Sequence, residues 1–445
     1  MSREAIKTII LIILVAFSLL LTLALWNYQP NLETVDQGDG LIEETDIGGT
    51  EKNVRKLLTP EQIIQHDDGT HYGYKNPEYI EEAYRRMQYW TLFNISVAEA
   101  EIPEEEGSLE IIFPSTLSSE SVRNIFPIEN QDVTLPSLSF DRAFVQWRGG
   151  EAEIRFLTPE GGQMLQASVR PGDMTAIMQE IDEASMWEEH TMFQQDEDRR
   201  IYLPAERKEV PKDVVVTETL PSKPLKNVLF EDPSVVKQFP LSGGDLRHSD
   251  GLSRMDLIAG QKKMHYLNLV TENSSQSTSA FNPEEVLQES VSFVNNHYGF
   301  TDPYRVRNVR SAYGDVSFDM YYNNRPILKD SENFTGMNVR FEEGILQEYT
   351  RPMVSINPYQ AEADDSGENQ VSTLASGKTV ETVIIDSPKY DKGEITDIEI
   401  GYKLVSQGGG FSNYYDLIPA WFIRVNDEWK ELKDVDTTVR RGGGV

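Results

Sequence analysis

Ser234, Lys237, Ser249, Asp250, Lys378 and Thr379 are the residues of this 445-residue chain whose types and spacing come nearest to catalysis. A lysine one helical turn beyond a serine can accept its proton and turn the hydroxyl into a nucleophile. Ser234-Val235-Val236-Lys237, Ser249-Asp250 and Lys378-Thr379 imitate the three motifs of serine penicillin-recognising enzymes. The details count against that chemistry. The first two motifs stand close together, the second ends in Gly251 rather than Asn, and the third has Val380 in place of glycine. Ser234 behind Pro233 reads better as a residue of a first helical turn, and no G-x-S-x-G nucleophile elbow occurs.

Metal and phosphate sites fare no better. His66-Asp67-Asp68-Gly69-Thr70-His71 is the nearest thing to a metal cluster, but a structural site needs about four ligands. Asp68-Gly69 is a turn signal, so the plain reading is a polar loop ahead of a helix. Ser376-Gly377-Lys378-Thr379 ends like a phosphate loop, yet Ser372 stands where that motif needs its first glycine, and a helix N-cap fits better. The expectation is a chain with no catalytic residues, no metal and no cofactor.

What remains is a stretch that does physical rather than chemical work. Residues 8–32 carry no charge, and residues 8–26 as one helix cover roughly 28 Å, close to the ~30 Å hydrocarbon thickness of a bilayer. Arg3 and Lys7 precede the run and no Lys or Arg follows closely, which places the N-terminus in the cytoplasm and the bulk outside. A cleaved signal peptide would have a shorter apolar core ending in small residues. Here Trp26 and Tyr28 look instead like an interfacial belt. Thr8, Leu11, Val15, Ser18, Thr22 and Leu25 follow a three-four spacing, and this face holds most of the small or hydroxyl-bearing side chains, which are what helices use to associate in lipid. Against that stands the fact that Ser and Thr are common in spanning helices without any such role.

Composition sets further bounds. A net charge of -32 opposes binding to nucleic acid or an anionic lipid surface. With 39% hydrophobic residues there is material for real cores, and with no cysteine those cores depend on packing alone, which suits a bacterial cell surface.

The elements follow in order. The expected organisation is a cytoplasmic tip (1–7), a transmembrane helix (8–28), an acidic flexible stalk (29–53), an N-terminal α+β domain (54–205), a central α+β domain (206–355) and a C-terminal α+β domain (356–445). In the first domain Asn76 and Pro77 start a helix with Ile80, Ala83, Tyr84, Met87 and Thr91 on one face. Runs at 143–147, 152–157 and 164–169 alternate as an antiparallel meander, and 173–184 reads as a helix. Prolines between 204 and 240 mark a boundary near Glu206. After it, a helix opened by Asn282-Pro283 and another capped by Ser376 are each followed by alternating strands, so helix-then-strands occurs twice. The fold class is α+β with antiparallel sheets.

Arg3-Glu4-x-Ile6-Lys7-Thr8-Ile9-Ile10, the exit Leu25-Trp26-x-Tyr28-Gln29-Pro30, and Asp416-Leu417-Ile418-Pro419-Ala420-Trp421 together resemble the YycH family. The resemblance spans essentially the whole chain. It implies a single-span, non-enzymatic protein that regulates the WalK/WalR two-component system of cell-wall metabolism in Gram-positive bacteria. It also implies two partners, the sensor histidine kinase WalK and a smaller companion, YycI, with contacts between spanning helices, two C-terminal domains similar to the exterior of YycI, and possible homo- or hetero-oligomers. The competing expectation is an anchored extracytoplasmic wall enzyme or ligand-binding module.

Overall fold

The computed structural model describes Leu14, Val15 and Ser18, and residues 46–441 apart from 101–106, 131, 149, 158–161, 175–178, 180–182, 195–199, 271–281, 331–333, 360–369, 409–411, 434 and 436–437. Among the described residues the chain is built mostly of antiparallel sheet with few helices.

The first sheet contains β1 (Gln62–Asp67), β2 (Thr70–Tyr74), β3 (Leu92–Glu99), β4 (Ser108–Ser118), β5 (Ser139–Arg148), β6 (Glu151–Leu157), β7 (Gln163–Val169), β8 (Trp187–Gln194) and β9 (Arg200–Pro204), in the order β3-β7-β6-β5-β4-β1-β2-β8-β9. Helices α1 (Val54–Leu57), α2 (Pro77–Met87) and α3 (Ser121–Ile125) fall within this stretch of chain. The β5-β6-β7 meander occupies the three alternating runs expected for it, because every second residue faces the core. That core is aromatic: Phe140 lies 4.9 Å from Phe156 and 5.6 Å from Phe113, centroid to centroid. In α2 the expected Ala83, Tyr84 and Met87 are buried. Thr91 lies beyond the helix end, and its N–H donates to Asp173 Oδ2 at 2.9 Å. The helix expected over 173–184 is represented by 3-10 turns at Pro171–Met174 and Ala184–Met186, with most of the interval outside the described residues.

The remaining strands are β10 (Lys208–Thr219), β11 (Lys237–Pro240), β12 (Leu246–Ser249), β13 (Ser253–Ile258), β14 (Lys263–Asn268), β15 (Tyr304–Arg310), β16 (Asp315–Tyr322), β17 (Arg325–Asp330), β18 (Gly336–Glu342), β19 (Ile345–Pro352), β20 (Val354–Pro358), β21 (Gln370–Leu374), β22 (Ile395–Ser406), β23 (Tyr414–Val425), β24 (Glu428–Glu431) and β25 (Thr438–Arg441). They form one continuous network, β11-β12-β13-β14-β19-β18-β16-β17-β22-β23-β10-β21-β25, with β15 on β16, β20 on β10 and β24 on β23. The β16–β17 hairpin, turning at Asn323 and Asn324 with positive φ, carries the chain from one half of the network to the other. There β17 pairs with β22 in parallel, whereas every other pairing in the network is antiparallel.

Helix α4 (Ser222–Leu229) follows β10, α5 (Pro283–Asn296) precedes β15, and α6 (Gly377–Asp386) precedes β22. Helix α5 starts as its sequence dictates, with the Asn282 side chain accepting from Glu284 N–H. It buries Val286, Leu287, Val291 and Val294, each contributing roughly 1.5–3 kcal/mol.

The prolines between 204 and 240 stand at element ends and in strands, and one reading changes. Pro204 ends β9, Pro211 sits in β10, and Pro221 and Pro224 open α4, positions where a missing N–H is tolerated. Residues 46–53, expected as the end of a flexible stalk, are held in place. Thr50 and Phe300 exchange two backbone hydrogen bonds of 2.9 Å, and the Asn295 side chain bonds both the N–H and the C=O of Lys52. Low apolar content hid these contacts, because they are made by backbone.

Pro419 explains how a proline fits a strand flanked on both sides. Strand β10 pairs with residues 414–417 of β23, and β24 with residues 422–425. Pro419 falls in the gap between them, so its missing N–H removes no ladder bond on that side.

Candidate functional site

The serine and lysine motifs that the sequence imitates stand on separate elements. Lys237 and Ser249 do face each other across β11 and β12, but Ser234 is an exposed first-turn residue whose Oγ donates to Asp232 Oδ1 at 2.5 Å. Lys378 belongs to α6, which packs on β8 and β9 of the first sheet, its Gly377 against Leu203 and Thr191. The anchor-face residues Thr8, Leu11, Thr22 and Leu25 lie outside the described residues, while Val15 and Ser18 are helical and exposed. Among the described residues no helix is long and apolar enough to cross a membrane.

His66 and His71 are not in a polar loop. They sit on β1 and β2, joined by a tight turn in which Asp68 and Gly69 have φ of 47° and 75°. The turn signal was correct, but the flanking segments pair and bury His66. Its Nδ1 is 2.8 Å from His71 Nδ1 and its Nε2 is 3.1 Å from Glu110 Oε2. An ionised carboxylate only accepts, so His66 Nε2 donates to Glu110, and one of the two facing Nδ1 atoms of His66 and His71 donates to the other. Tyr202 donates to the same carboxylate at 2.8 Å and Arg142 at 2.5 Å. Burial raises the Glu110 pKa, but the bonds from His66 and Tyr202 and the Arg142 charge outweigh it and hold it at about 2. Glu110 thus has a full set of partners, and the arrangement is a fixed polar core rather than a vacant metal site. Among the described residues no group of three metal-ligating side chains occurs.

A cleft of about 380 Å³ opens beside this network. Strands β1 and β2 and the irregular part of β4 line one side, and β17 and β22 the other. Register breaks shape it. One extra residue in β15, Arg307, separates the pairs Val306–Phe318 and Asn308–Ser317. Another in β22, Thr396, precedes Asp397, and β4 departs from its partner between Ile112 and Leu117. A bulge turns a side chain out of strict alternation. Here it sends Arg307 toward the other units, where its Nη1 meets Glu61 Oε1 at 2.6 Å, its Nη2 meets Glu399 Oε2 at 2.9 Å and its Nε lies 3.4 Å from Asp319 Oδ2. The Trp429 ring centre is 4.2 Å from the guanidinium carbon.

Glu61, Asp319, Asp397 and Glu399 therefore crowd Arg307 and Arg424, and Arg424 also pairs with Asp427 at 3.0 Å. Burial together with the Asp397 charge pushes Glu61 well above the usual carboxylate range, and burial raises Glu399 and Asp319 too. Toward the first sheet the cleft changes sign. Lys208 Nζ bonds Glu188, Arg142 and Arg325 line the wall, and His190 fills the space beside Gly73. His190 Nδ1 lies 3.1 Å from Gly73 N and 3.0 Å from the Glu188 carbonyl oxygen, and burial lowers its pKa to about 4. None of Arg307, Arg325 or Glu61 carried a motif in the sequence, since they meet through pairings of distant strands.

Comparison with known proteins follows the same outline. The chain is 25% identical over 453 residues to the two-component system WalR/WalK regulatory protein YycH of Bacillus subtilis (strain 168), covering 96% of this chain and 95% of that protein. The crystal structure of YycH from Bacillus subtilis superposes with a TM-score of 0.69 at 20% identity, over 87% of this chain and 100% of that one, so the fold is shared. The family model for the YycH protein N-terminal domain matches residues 4–186, and that for the YycH protein C-terminal domain matches residues 198–438. With both models matched in order along nearly its whole length, the chain belongs to the YycH family.

Proposed function

We propose that the chain is a membrane-anchored, non-enzymatic regulator of a two-component system, acting on the sensor histidine kinase WalK together with YycI, and so on cell-wall metabolism. The observation that carries this reading is the match along 96% of the chain to a protein whose name is that of a WalR/WalK regulatory protein. The uncharged run of residues 8–26 supports a single span with a cytoplasmic N-terminus and an extracytoplasmic bulk. Thr8, Leu11, Val15, Ser18, Thr22 and Leu25 are the face by which it would pack against partner helices. Coupling between such contacts and a kinase equilibrium amounts to about 1–3 kcal/mol.

The test is a chain cut to residues 1–30 and expressed in place of the whole. Kinase control retained by that fragment supports regulation through the anchor; control lost with the exterior, at equal membrane abundance, removes the reading. The cleft favours one second reading, an exterior that binds a ligand.

A further inference from the structure

Among the described residues Arg325 stands in the cleft without a hydrogen-bond or ion-pair partner. Arg325, at the start of β17, lines the cleft near Tyr402, Glu399 and Glu188, and burial pushes its pKa down. Its guanidinium makes no hydrogen bond or ion pair with any described residue. The residue is half-buried in the cleft, and a guanidinium's planar fork of donors matches a carboxylate with two parallel bonds.

Farther along the cleft the imbalance reverses. Among the described residues Asp397 accepts only the N–H of its neighbour Ile398, at 2.8 Å, and stands beside Glu61 and Glu399, where carboxylates outnumber the two guanidiniums. This end favours a cation. Ile327, two residues beyond Arg325, pairs with Tyr402, five residues beyond Asp397. The two ends are therefore offset by about three residues, or roughly 10 Å of strand. An extended peptide of two or three residues spans that distance at roughly 3.3–3.6 Å per residue. Tyr74, Pro77, Ile80 and Trp421 supply apolar wall, and the volume is within the range of small-molecule sites.

We propose that the cleft binds a short peptide with both ends free, its terminal carboxylate on Arg325 and its terminal ammonium against Asp397, Glu61 and Glu399. The site stands on its own geometry and does not rest on the regulatory reading.

The test is equilibrium dialysis of the full chain, purified in mild detergent, against a mixed library of di- and tripeptides, read by mass spectrometry. Parallel libraries carry N-acetyl or C-amide caps. Free-ended peptides should be retained, either cap should reduce retention about tenfold or more, and Arg325→Gln should do the same for the free-ended library while Arg325→Lys keeps part of it. Asp397→Asn should weaken free-ended peptides and leave the N-acetylated set unchanged. Absence of retention, equal retention of capped and free peptides, or unchanged retention in a folded Arg325→Gln chain overturns the proposal. If that variant fails to fold, the capped libraries still decide.

Discussion

Glu61 and Arg307 are separated by 246 residues of chain and 2.6 Å of space. Glu61 sits just ahead of β1 in the first sheet and Arg307 in the bulge of β15, so their contact ties the first unit to the network built by the rest of the chain. With Glu399 on the other arm of the guanidinium, one side chain joins three segments that share no local sequence.

Replacing Arg307 with Ala should therefore destabilise the protein by about 3–5 kcal/mol in urea unfolding at pH 7, because it leaves buried carboxylates without their counter-charge. Arg307→Lys should recover only part, since lysine cannot bond Glu61 and Glu399 with separate arms. The deficit should shrink on acidification. Glu61, Glu399 and Asp319 have folded pKa values above their ordinary 4.5, 4.5 and 3.8, so their contribution is full below those values and is lost as pH rises through the raised ones. A deficit that stays the same as pH falls from 7 toward the ordinary carboxylate values would contradict this account.

The histidines act in the opposite direction. His190 and His248 are held at about 4 against an ordinary 6.5, both chiefly by burial. A depressed pKa gives stability that is complete above 6.5 and lost as pH falls through 4. Nuclear magnetic resonance titration of the two imidazole rings should show midpoints near 4; a midpoint near 6.5 for either would mean that its ring is open to water.

Gly73→Ala should lower stability by about 1–3 kcal/mol, as overpacking does. A methyl group there would come within 2.4 to 2.9 Å of three ring atoms of His190. Thermal melts of Gly73→Ala, His190→Ala and the double variant give the coupling: the double variant should be more stable than the sum of the two losses, because removing the ring makes room for the methyl.

Asn295→Ala should open the segment around Lys52 locally. The amide side chain donates to Lys52 O at 2.8 Å and accepts from Lys52 N at 3.0 Å. Losing both bonds should speed tryptic cleavage after Lys52 by about tenfold with little change in the global melting temperature. Cleavage at the wild-type rate would show that these bonds do not hold the segment.

What the sequence disclosed and what it withheld follow from how far each signal reaches. Asn282, Pro283 and the spacing of Val286, Leu287, Val291 and Val294 specify α5 within one stretch of chain, and the alternation at 398–404 and 417–425 specifies β22 and β23. Asp68-Gly69 disclosed its turn. The burial of His66 depended on Glu110 and Tyr202, from strands far along the chain. Arg307 was hidden for a different reason: a bulge breaks the alternation by which a strand's inward residues are recognised. The pairing of β10 with β21 and β23 had no local trace, since strand partners chosen across two hundred residues leave no period to read. The anchor face of Thr8, Leu11, Val15, Ser18, Thr22 and Leu25 remains a reading of spacing.

The two backbone bonds between Thr50 and Phe300 also determine where tension enters the body. Any pull transmitted from upstream of residue 46 arrives first at the corner after α5, where Gly299 takes a φ of 67° and Gly49 lies tight against the Tyr298 carbonyl. It does not arrive first at the nine-stranded sheet that follows next in sequence. If the proposed anchor pulls on this segment, the load enters beside the α5 helix, and the nine-stranded sheet bears it only second.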